Sequence, residues 1–203
     1  MHYLKVAVGV LFGIAVFMFL DYALPSKNTV RITNTYNRLT SVTPSNAIFY
    51  ASDNTGTVEN AQGQRDVRFI ETVRPNGKVF VYRNEDTGWI WPPYFKYDSA
   101  NLHAEATNLK STAAAPQWVA ITHYGWRSRL LTTYPNAIGI RPVDGPDVTF
   151  VPWLNIVILL ALVIVGFMAW RIWERFEDRV IDPLRDRFAV QWAKIKDKTA
   201  GRG

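Results

Sequence analysis

The residues whose types and spacing suggest a metal site are His103, Glu105 and His123. Zinc sites combine imidazole and carboxylate ligands, so the first two, spaced as His-x-Glu, are candidates for such a site. The segment around them is predicted to be helical, however, and residues two apart on a helix point about 200° away from each other. We therefore predict no metal and no other cofactor. His123 alternates with Val119 and Ile121, which predicts a hydrogen-bonded histidine on one face of a sheet.

Glu85 and Asp86 are adjacent carboxylates that could serve in acid–base catalysis. A glycosidase needs two carboxyl groups that face each other about 5–9.5 Å apart, and neighbours in a turn rarely do so. They lie in the sequence Asn-Glu-Asp-Thr-Gly, whose side chains commonly accept hydrogen bonds from the backbone of their own turn. The sequence has no nucleophile-elbow, Ser-x-x-Lys, His-Glu-x-x-His or phosphate-loop motif, and its lack of cysteine excludes thiolate catalysis. We predict that the protein is not an enzyme.

The stretch at residues 89–97, Trp-Ile-Trp-Pro-Pro-Tyr-Phe-Lys-Tyr, places five aromatic side chains in nine residues. Its two prolines favour extended backbone and remove donors that a central strand needs, so we predict an edge or a loop. Such a segment can stack on a sugar or peptide, enter a membrane interface or form the hot spot of a protein interface. The alternative is that most of these rings fill a core.

A second dense patch follows at residues 123–129, where two arginines flank a serine and could face an acidic lipid or partner. Solvated surface arginines are the alternative. The predicted contact residues for a partner or ligand are Trp89, Trp91, Tyr94, Phe95, Trp126 and Arg127.

The strongest signal for overall organisation is the uncharged run at residues 151–170. About 20 apolar residues are what a helix needs to cross a bilayer, and Trp153 and Trp170 lie where the aromatic belts of such a span are expected. This run predicts a transmembrane helix.

The first 24 residues resemble a bacterial export signal, with Lys5 before an apolar run. They lack the small-residue pattern that signal peptidase needs, so we predict an uncleaved anchor at residues 3–20, with a cleaved signal as the alternative. Basic residues of short flanks face the cytoplasm. Both termini are therefore predicted to be cytoplasmic and residues 25–149 to lie in the periplasm of a bacterial inner membrane.

Residues 25–149 show the patterns of an antiparallel domain. A strand is predicted at residues 30–33, a hairpin at residues 66–84 around Pro-Asn-Gly, and further strands at residues 117–124 and 137–143. Residues 51–66 are polar and read as a loop. Capping by residues 98–99 and the spacing of Leu102, Ala106 and Leu109 predict one helix at residues 99–110. The result is an α+β domain, a twisted sheet or small sandwich with a covering helix.

The tail beyond residue 171 is amphipathic, and Asp182-Pro183 predicts a bend between two helices. Trp173 and Trp192 on or near the apolar stripe fit a helix that lies on lipid, with docking on a partner protein as an equal alternative. The formal net charge of +6, with acids interleaved, suggests contact with anionic lipid rather than with nucleic acid. The predicted domains are an N-terminal transmembrane signal anchor (1–24), a periplasmic β-rich domain (25–149), a second transmembrane helix (150–171) and a cytoplasmic amphipathic helical tail (172–203).

Two blocks, residues 81–109 and 118–143, resemble a family of uncharacterised bacterial membrane proteins, domain of unknown function 1523. With the flanking apolar segments, the resemblance covers most of residues 1–175. It implies an inner-membrane protein with an extracytoplasmic domain, and it transfers no catalytic residue. Our leading functional hypothesis is a non-enzymatic accessory or scaffolding subunit with an integral membrane protein as its partner. The alternatives are a tethered periplasmic module that binds a sugar or peptide and, less favoured, an envelope enzyme.

Overall fold

A computed structural model describes residues 2–50, 64–87, 92, 94–185, 188, 190 and 192. It divides the chain into two compact units, residues 1–151 and 152–203, and each unit is described by itself. Predictions that concern Trp89, Trp91, the side chain of Lys5 or most of the tail beyond residue 185 lie outside the described residues. The same holds for the loop predicted at residues 51–66, except that its last three residues belong to a strand.

The first unit begins with helix α1, His2–Ala23. Residues 6–23 are long and apolar enough to cross a membrane, and none of that span is buried. The predicted anchor ended at Leu20, whereas the helix continues for three residues. Those three residues contact the domain that follows, so tertiary contacts extend the helix beyond its apolar run.

Five strands and one helix form the rest of the first unit. The strands close into a barrel in the order β1-β2-β3-β5-β4. Neighbours are antiparallel except β3 and β5, which run parallel and meet at Arg83 and Asn136. A five-stranded barrel with this strand order and a helix between β3 and β4 has the architecture of an OB-fold. The elements are β1 (Ser26–Ser41), β2 (Gln64–Val73), β3 (Val79–Asn84), α2 (Ser99–Asn108), β4 (Trp118–Tyr124) and β5 (Asn136–Pro142).

The α+β prediction is confirmed, but the sheet, predicted as a twisted antiparallel sheet or small sandwich, is a closed barrel with one parallel pair. Closure depends on β1, which is 16 residues long and was predicted only around residues 30–33. A register shift between Ile32 and Asn34 lets the first part of β1 pair with β4 and the second part with β2. Much of the strand is exposed and polar, so alternation reveals only its buried centre.

The predicted hairpin and the predicted helix are confirmed. Strands β2 and β3 flank a turn in which Gly77 has φ of 76°, as the Asn-Gly pair predicts. Helix α2 is capped by Asp98, whose side chain accepts from Asn101 N. The apolar face of α2 covers one end of the barrel. The core consists of Val30, Ile32, Ile70, Tyr82, Val119, Ile121 and Ala137 from the strands and Leu102, Ala106 and Leu109 from α2 and its C-cap.

The second unit contains helix α3, Trp153–Phe176, which continues through a π-helical turn, Glu177–Ile181. The apolar part of this helix could also span a membrane. The prediction that Asp182 caps a second helix after a bend is wrong, because Asp182 is itself helical. The π turn lies directly before Pro183, whose ring lacks a donor and would clash with the preceding turn of a regular α-helix. The predicted interface residues Trp153, Trp170, Trp173 and Trp192 are exposed on this unit.

Candidate functional site

The end of α1 is fixed to the barrel by three hydrogen bonds. Trp126 Nε1 donates to Asp21 Oδ2 at 2.8 Å, and Gly125 N donates to Tyr22 O at 2.9 Å. The Tyr94 hydroxyl donates to Ala23 O. The last carbonyls of a helix have no partner within the helix, so the barrel supplies what α1 itself cannot. We call this contact region, residues 21–23 with Tyr94, Gly125 and Trp126, the joint.

The Tyr22 ring is the centre of the joint. Its centroid lies 5.3 Å from that of Trp126, 5.5 Å from that of Phe49 and 6.1 Å from that of Tyr124. Gly125 has φ of 88°, and a Cβ at that position would meet the Tyr22 ring at 3.4 Å. Aromatic pairs of this kind contribute about 0.5–1.5 kcal/mol beyond the area that they bury. The joint therefore holds α1 in a defined orientation on the barrel.

A buried ion pair lies beneath the joint. Arg83 and Glu85 form a salt bridge of 3.0 Å with side chains that are 2% and 3% exposed. Asn136 accepts from Glu85 N and donates to Glu85 O, which fixes the backbone next to the pair. The Tyr50 ring lies 5.0 Å from the guanidinium. Burial lowers the pKa of Arg83, but the attraction of Glu85 and nearby tyrosines outweighs burial and raises the pKa above its ordinary value.

The adjacent carboxylates Glu85 and Asp86 have separate structural contacts. Glu85 pairs with Arg83, whereas Asp86 Oδ1 accepts from Ser99 N at 2.8 Å and so holds the start of α2. The prediction placed these side chains on the backbone of their own turn, whereas Asp86 accepts from the start of α2, 13 residues further along the chain.

An aromatic groove of about 640 Å³ opens beside the joint. It is lined by residues 94–98, by Asn101, Leu102 and Glu105, and by residues 138–140 of β5. Phe95 and Tyr97 are 55% and 65% exposed. The backbone of Phe95 has φ of 51°, a left-handed conformation that is costly for a bulky residue. Strain of this kind concentrates at functional sites.

Lys96 forms part of the floor of the groove. Its ammonium donates to Ala137 O at 2.7 Å and to Asn84 Oδ1. Burial lowers the pKa of Lys96 to about 7, although Asp86 and Glu85 act in the opposite direction. The cation thus ties the groove to the barrel wall next to the place where β3 and β5 meet.

One wall of the groove is an edge of β5. Strand β3 pairs with β5 at Arg83 and Asn136 and ends at Asn84. The remainder of β5 therefore extends past the end of β3 and runs alongside the groove. Val143 N donates to Trp118 O at 3.0 Å, and alternation along the strand then turns the backbone of Ile140 away from β4. The groove therefore combines exposed rings with a strand edge.

Four of the predicted contact residues lie in the part of the chain that the structure describes, at three different places. Tyr94 stacks on Tyr124 at 4.8 Å and belongs to the joint with Trp126, whereas Phe95 lies in the groove. Arg127 lies 4.1 Å from the Tyr134 ring and donates to two carbonyls of its own loop. A role for any of them in binding stays a prediction.

The histidines do not converge. His123 Nε2 lies 2.7 Å from Asn28 Nδ2, which confirms the hydrogen-bonded sheet histidine, and burial lowers its pKa to about 4. His103 and Glu105 are on α2. Among the described residues, no group of three His, Cys, Asp or Glu side chains could hold a metal ion.

Sequence reasoning missed Tyr22, Arg83 and Lys96. Tyr22 follows an apolar run, and lysine and arginine side chains are seldom fully buried. Arg83 does alternate with the partly buried Val81 on the strand, but an arginine on a buried face is rare enough that the pattern alone does not reveal it.

Comparison with known proteins finds a relative in Haemophilus influenzae, an uncharacterized protein that is 42% identical over 112 residues. The match covers 54% of this chain and 63% of that protein, so the chain spans less than two thirds of the relative's length. No solved structure matches. The profile of the family described as "Protein of unknown function (DUF1523)" matches residues 1–177. That match confirms the resemblance found in the sequence, and the chain belongs to the DUF1523 family.

Proposed function

We propose that the protein is a non-enzymatic accessory or scaffolding subunit of a larger membrane protein complex. In this proposal α1 and α3 both cross the bacterial inner membrane, both termini are cytoplasmic and residues 25–149 are periplasmic. The lipid bilayer and an integral membrane protein are its partners.

The joint is the observation that carries this proposal. Helix α1 ends at Ala23 and β1 begins at Ser26, so two residues separate the apolar helix from the barrel. Three hydrogen bonds and the packing of Tyr22 remove the freedom that even this short connection would leave. A barrel fixed to its own span presents its surface at a constant height and orientation, as a scaffold requires, whereas a receptor on a mobile tether needs no such joint.

The groove is the surface we assign to the partner. Exposed rings next to a strand edge suit an extended segment, because backbone hydrogen bonds to the edge provide affinity and pockets beside it select side chains. Glu105 and Asp98 on the groove wall favour a partner segment with a basic residue.

Native electrophoresis of the full-length protein, extracted from its own membranes in mild detergent, tests this proposal. We expect a large complex with a stoichiometric partner identified by mass spectrometry. Replacing Phe95 and Tyr97 together by Ala should release the partner while the protein stays in the membrane fraction. Val79→Ala, at a 70% exposed site outside the groove lining, is the matched control. Migration alone, or a complex that survives loss of both rings, would contradict the proposal.

The second candidate is a tethered module that binds a sugar or a short peptide in the same groove. The observation that favours it is the combination of two exposed rings with Asn101 and Glu105, since stacking surfaces beside planar polar groups suit both ligands. Saturable binding of chito-oligosaccharides or short peptides to the full-length protein in nanodiscs, lost in the Phe95 and Tyr97 double variant, would favour this candidate over the scaffold.

A further inference from the structure

Two loops surround the end of α1 at the joint. The loop at residues 42–50 carries Phe49, which packs on Tyr22, and the loop at residues 125–135 carries Trp126, which binds Asp21. The loops also contact each other, since the Tyr50 hydroxyl donates to Thr132 O at 2.9 Å. They therefore form one surface next to the last turn of the apolar helix.

This surface exposes large aliphatic side chains. Ile48, in the 3-10 turn Ala47–Phe49, is 77% exposed, and Leu130 is 92% exposed. Leu130 lies in a tight turn closed by the paired residues Ser128 and Thr133. Two such side chains on structured turns beside an apolar helix differ from scattered surface leucines, because an adjacent apolar phase could bury both at once.

The charged residues of the two loops are all basic. Residues 125–135 contain two arginines and no acidic residue, and residues 42–50 contain no charged residue. Arg127 packs on Tyr134, whereas Arg129 is exposed one position before Leu130. Cations next to exposed aliphatic side chains are the composition of surfaces that bind anionic membranes.

We propose that these two loops rest on the membrane that α1 enters, with Ile48 and Leu130 in the interfacial region and Arg129 on anionic lipid headgroups. The proposal relies on α1 as a transmembrane span, which belongs to the proposed function above. Asp21 and Tyr22 follow the apolar run and must lie near the interface of such a span, and the loops that bind them lie at the same level. The two-residue connection to β1 keeps them there.

The chain has no cysteine, so single cysteines can report depth without a modified background. Ile48→Cys and Leu130→Cys, each labelled with the fluorophore NBD in the full-length protein, are reconstituted in nanodiscs of phosphatidylglycerol and phosphatidylcholine. Val79→Cys is the aqueous control. Val79 pairs with Val73, and Val73 pairs with Arg31. Arg31 lies roughly 17 Å along β1 from Ser26, where the strand leaves the joint. Val10→Cys, on α1, is the membrane control.

We expect nitroxide lipids to quench probes at residues 48 and 130 at least twofold more than the probe at residue 79. Arg129→Glu should reduce quenching at residue 130, and nanodiscs of phosphatidylcholine alone should reduce it similarly. Probes at 48 and 130 that behave like residue 79, while residue 10 is quenched, overturn this inference and leave the membrane span intact. Absence of quenching at residue 10 overturns the span itself. Protection at 48 and 130 from both lipid and aqueous quenchers indicates a protein contact and also overturns the inference.

Discussion

The joint and the groove draw on neighbouring residues of one segment but use aromatic side chains in opposite ways. Tyr94 turns its hydroxyl to the end of α1 and stacks on Tyr124, while Phe95 leaves more than half of its surface exposed in a left-handed backbone conformation. In the joint, the rings of Tyr94 and Trp126 are partly buried and hydrogen-bonded to the end of α1. In the groove, the Phe95 ring is exposed and its backbone has an unfavourable positive φ. Aromatic density alone therefore does not identify a binding surface, whereas burial together with backbone conformation distinguishes the ring that anchors α1 from the ring that is a candidate for binding.

The largest effect is expected at the buried ion pair under the joint. Arg83→Met leaves the Glu85 carboxylate in the interior without its cation, and breaking such a pair typically costs about 3–5 kcal/mol of unfolding free energy. Thermal unfolding of the full-length protein in detergent, followed by near-ultraviolet circular dichroism, measures it. The double variant Arg83→Met with Glu85→Met should recover a large part of the loss, because no unpaired charge remains. Equal destabilisation by the single and double variants would contradict this account.

A smaller, pH-dependent effect is expected at the groove floor. The unfolded chain keeps the Lys96 proton up to about pH 10.5, whereas the folded protein releases it above about pH 7. Between these values the unfolded state binds more protons, so the contribution of Lys96 to stability rises with pH and is smallest below pH 7. We expect a gain of about 2 kcal/mol from pH 7 to pH 9.

Lys96→Met tests that assignment, because it removes the titrating group. The variant has no group that titrates in this range, so its slope between pH 7 and pH 9 should flatten. Lys78→Met, in the hairpin turn, is a control that should retain the slope. A slope unchanged by Lys96→Met would show that other groups produce the pH dependence.

Local signals in the sequence predicted the short-range features of the domain. They did not predict the long-range contacts that close the barrel or the different surroundings of Tyr94 and Phe95. The Asn-Gly turn, the Asp98 cap and the spacing of Leu102 and Leu109 are properties of short segments, and the structure confirms each of them. Barrel closure depends on the contact of Arg83 with Asn136, which are 53 positions apart, and no local pattern encodes it. The contact of Tyr94 with α1, which Phe95 does not share, likewise depends on where α1 ends. Tertiary contacts of Tyr22 determine that end.

The smallest effect on stability, and the most informative one, is expected at Phe95. Glycine adopts positive φ without the cost of about 1–2 kcal/mol that other residues incur there, but it also gives the unfolded chain more freedom, worth about 0.4–1 kcal/mol. Relief of the strain and the added freedom of the unfolded chain change the unfolding free energy in opposite directions. The Phe95 ring that is lost is more than half exposed, so its removal sacrifices little packing. Phe95→Gly should therefore change the unfolding free energy by no more than about 1 kcal/mol, measured as above.

Tyr94→Ala is the matched change one residue away, and it should cost clearly more, because it removes a stacked ring and a hydrogen bond to the end of α1. The pair also separates two roles in native electrophoresis. Phe95→Gly should weaken the complex while the barrel stays folded, since it removes an exposed ring of the groove. If Phe95→Gly instead destabilised the barrel as strongly as Tyr94→Ala, the exposed ring would be part of the structural support, and the groove would lose the strain argument for a binding role.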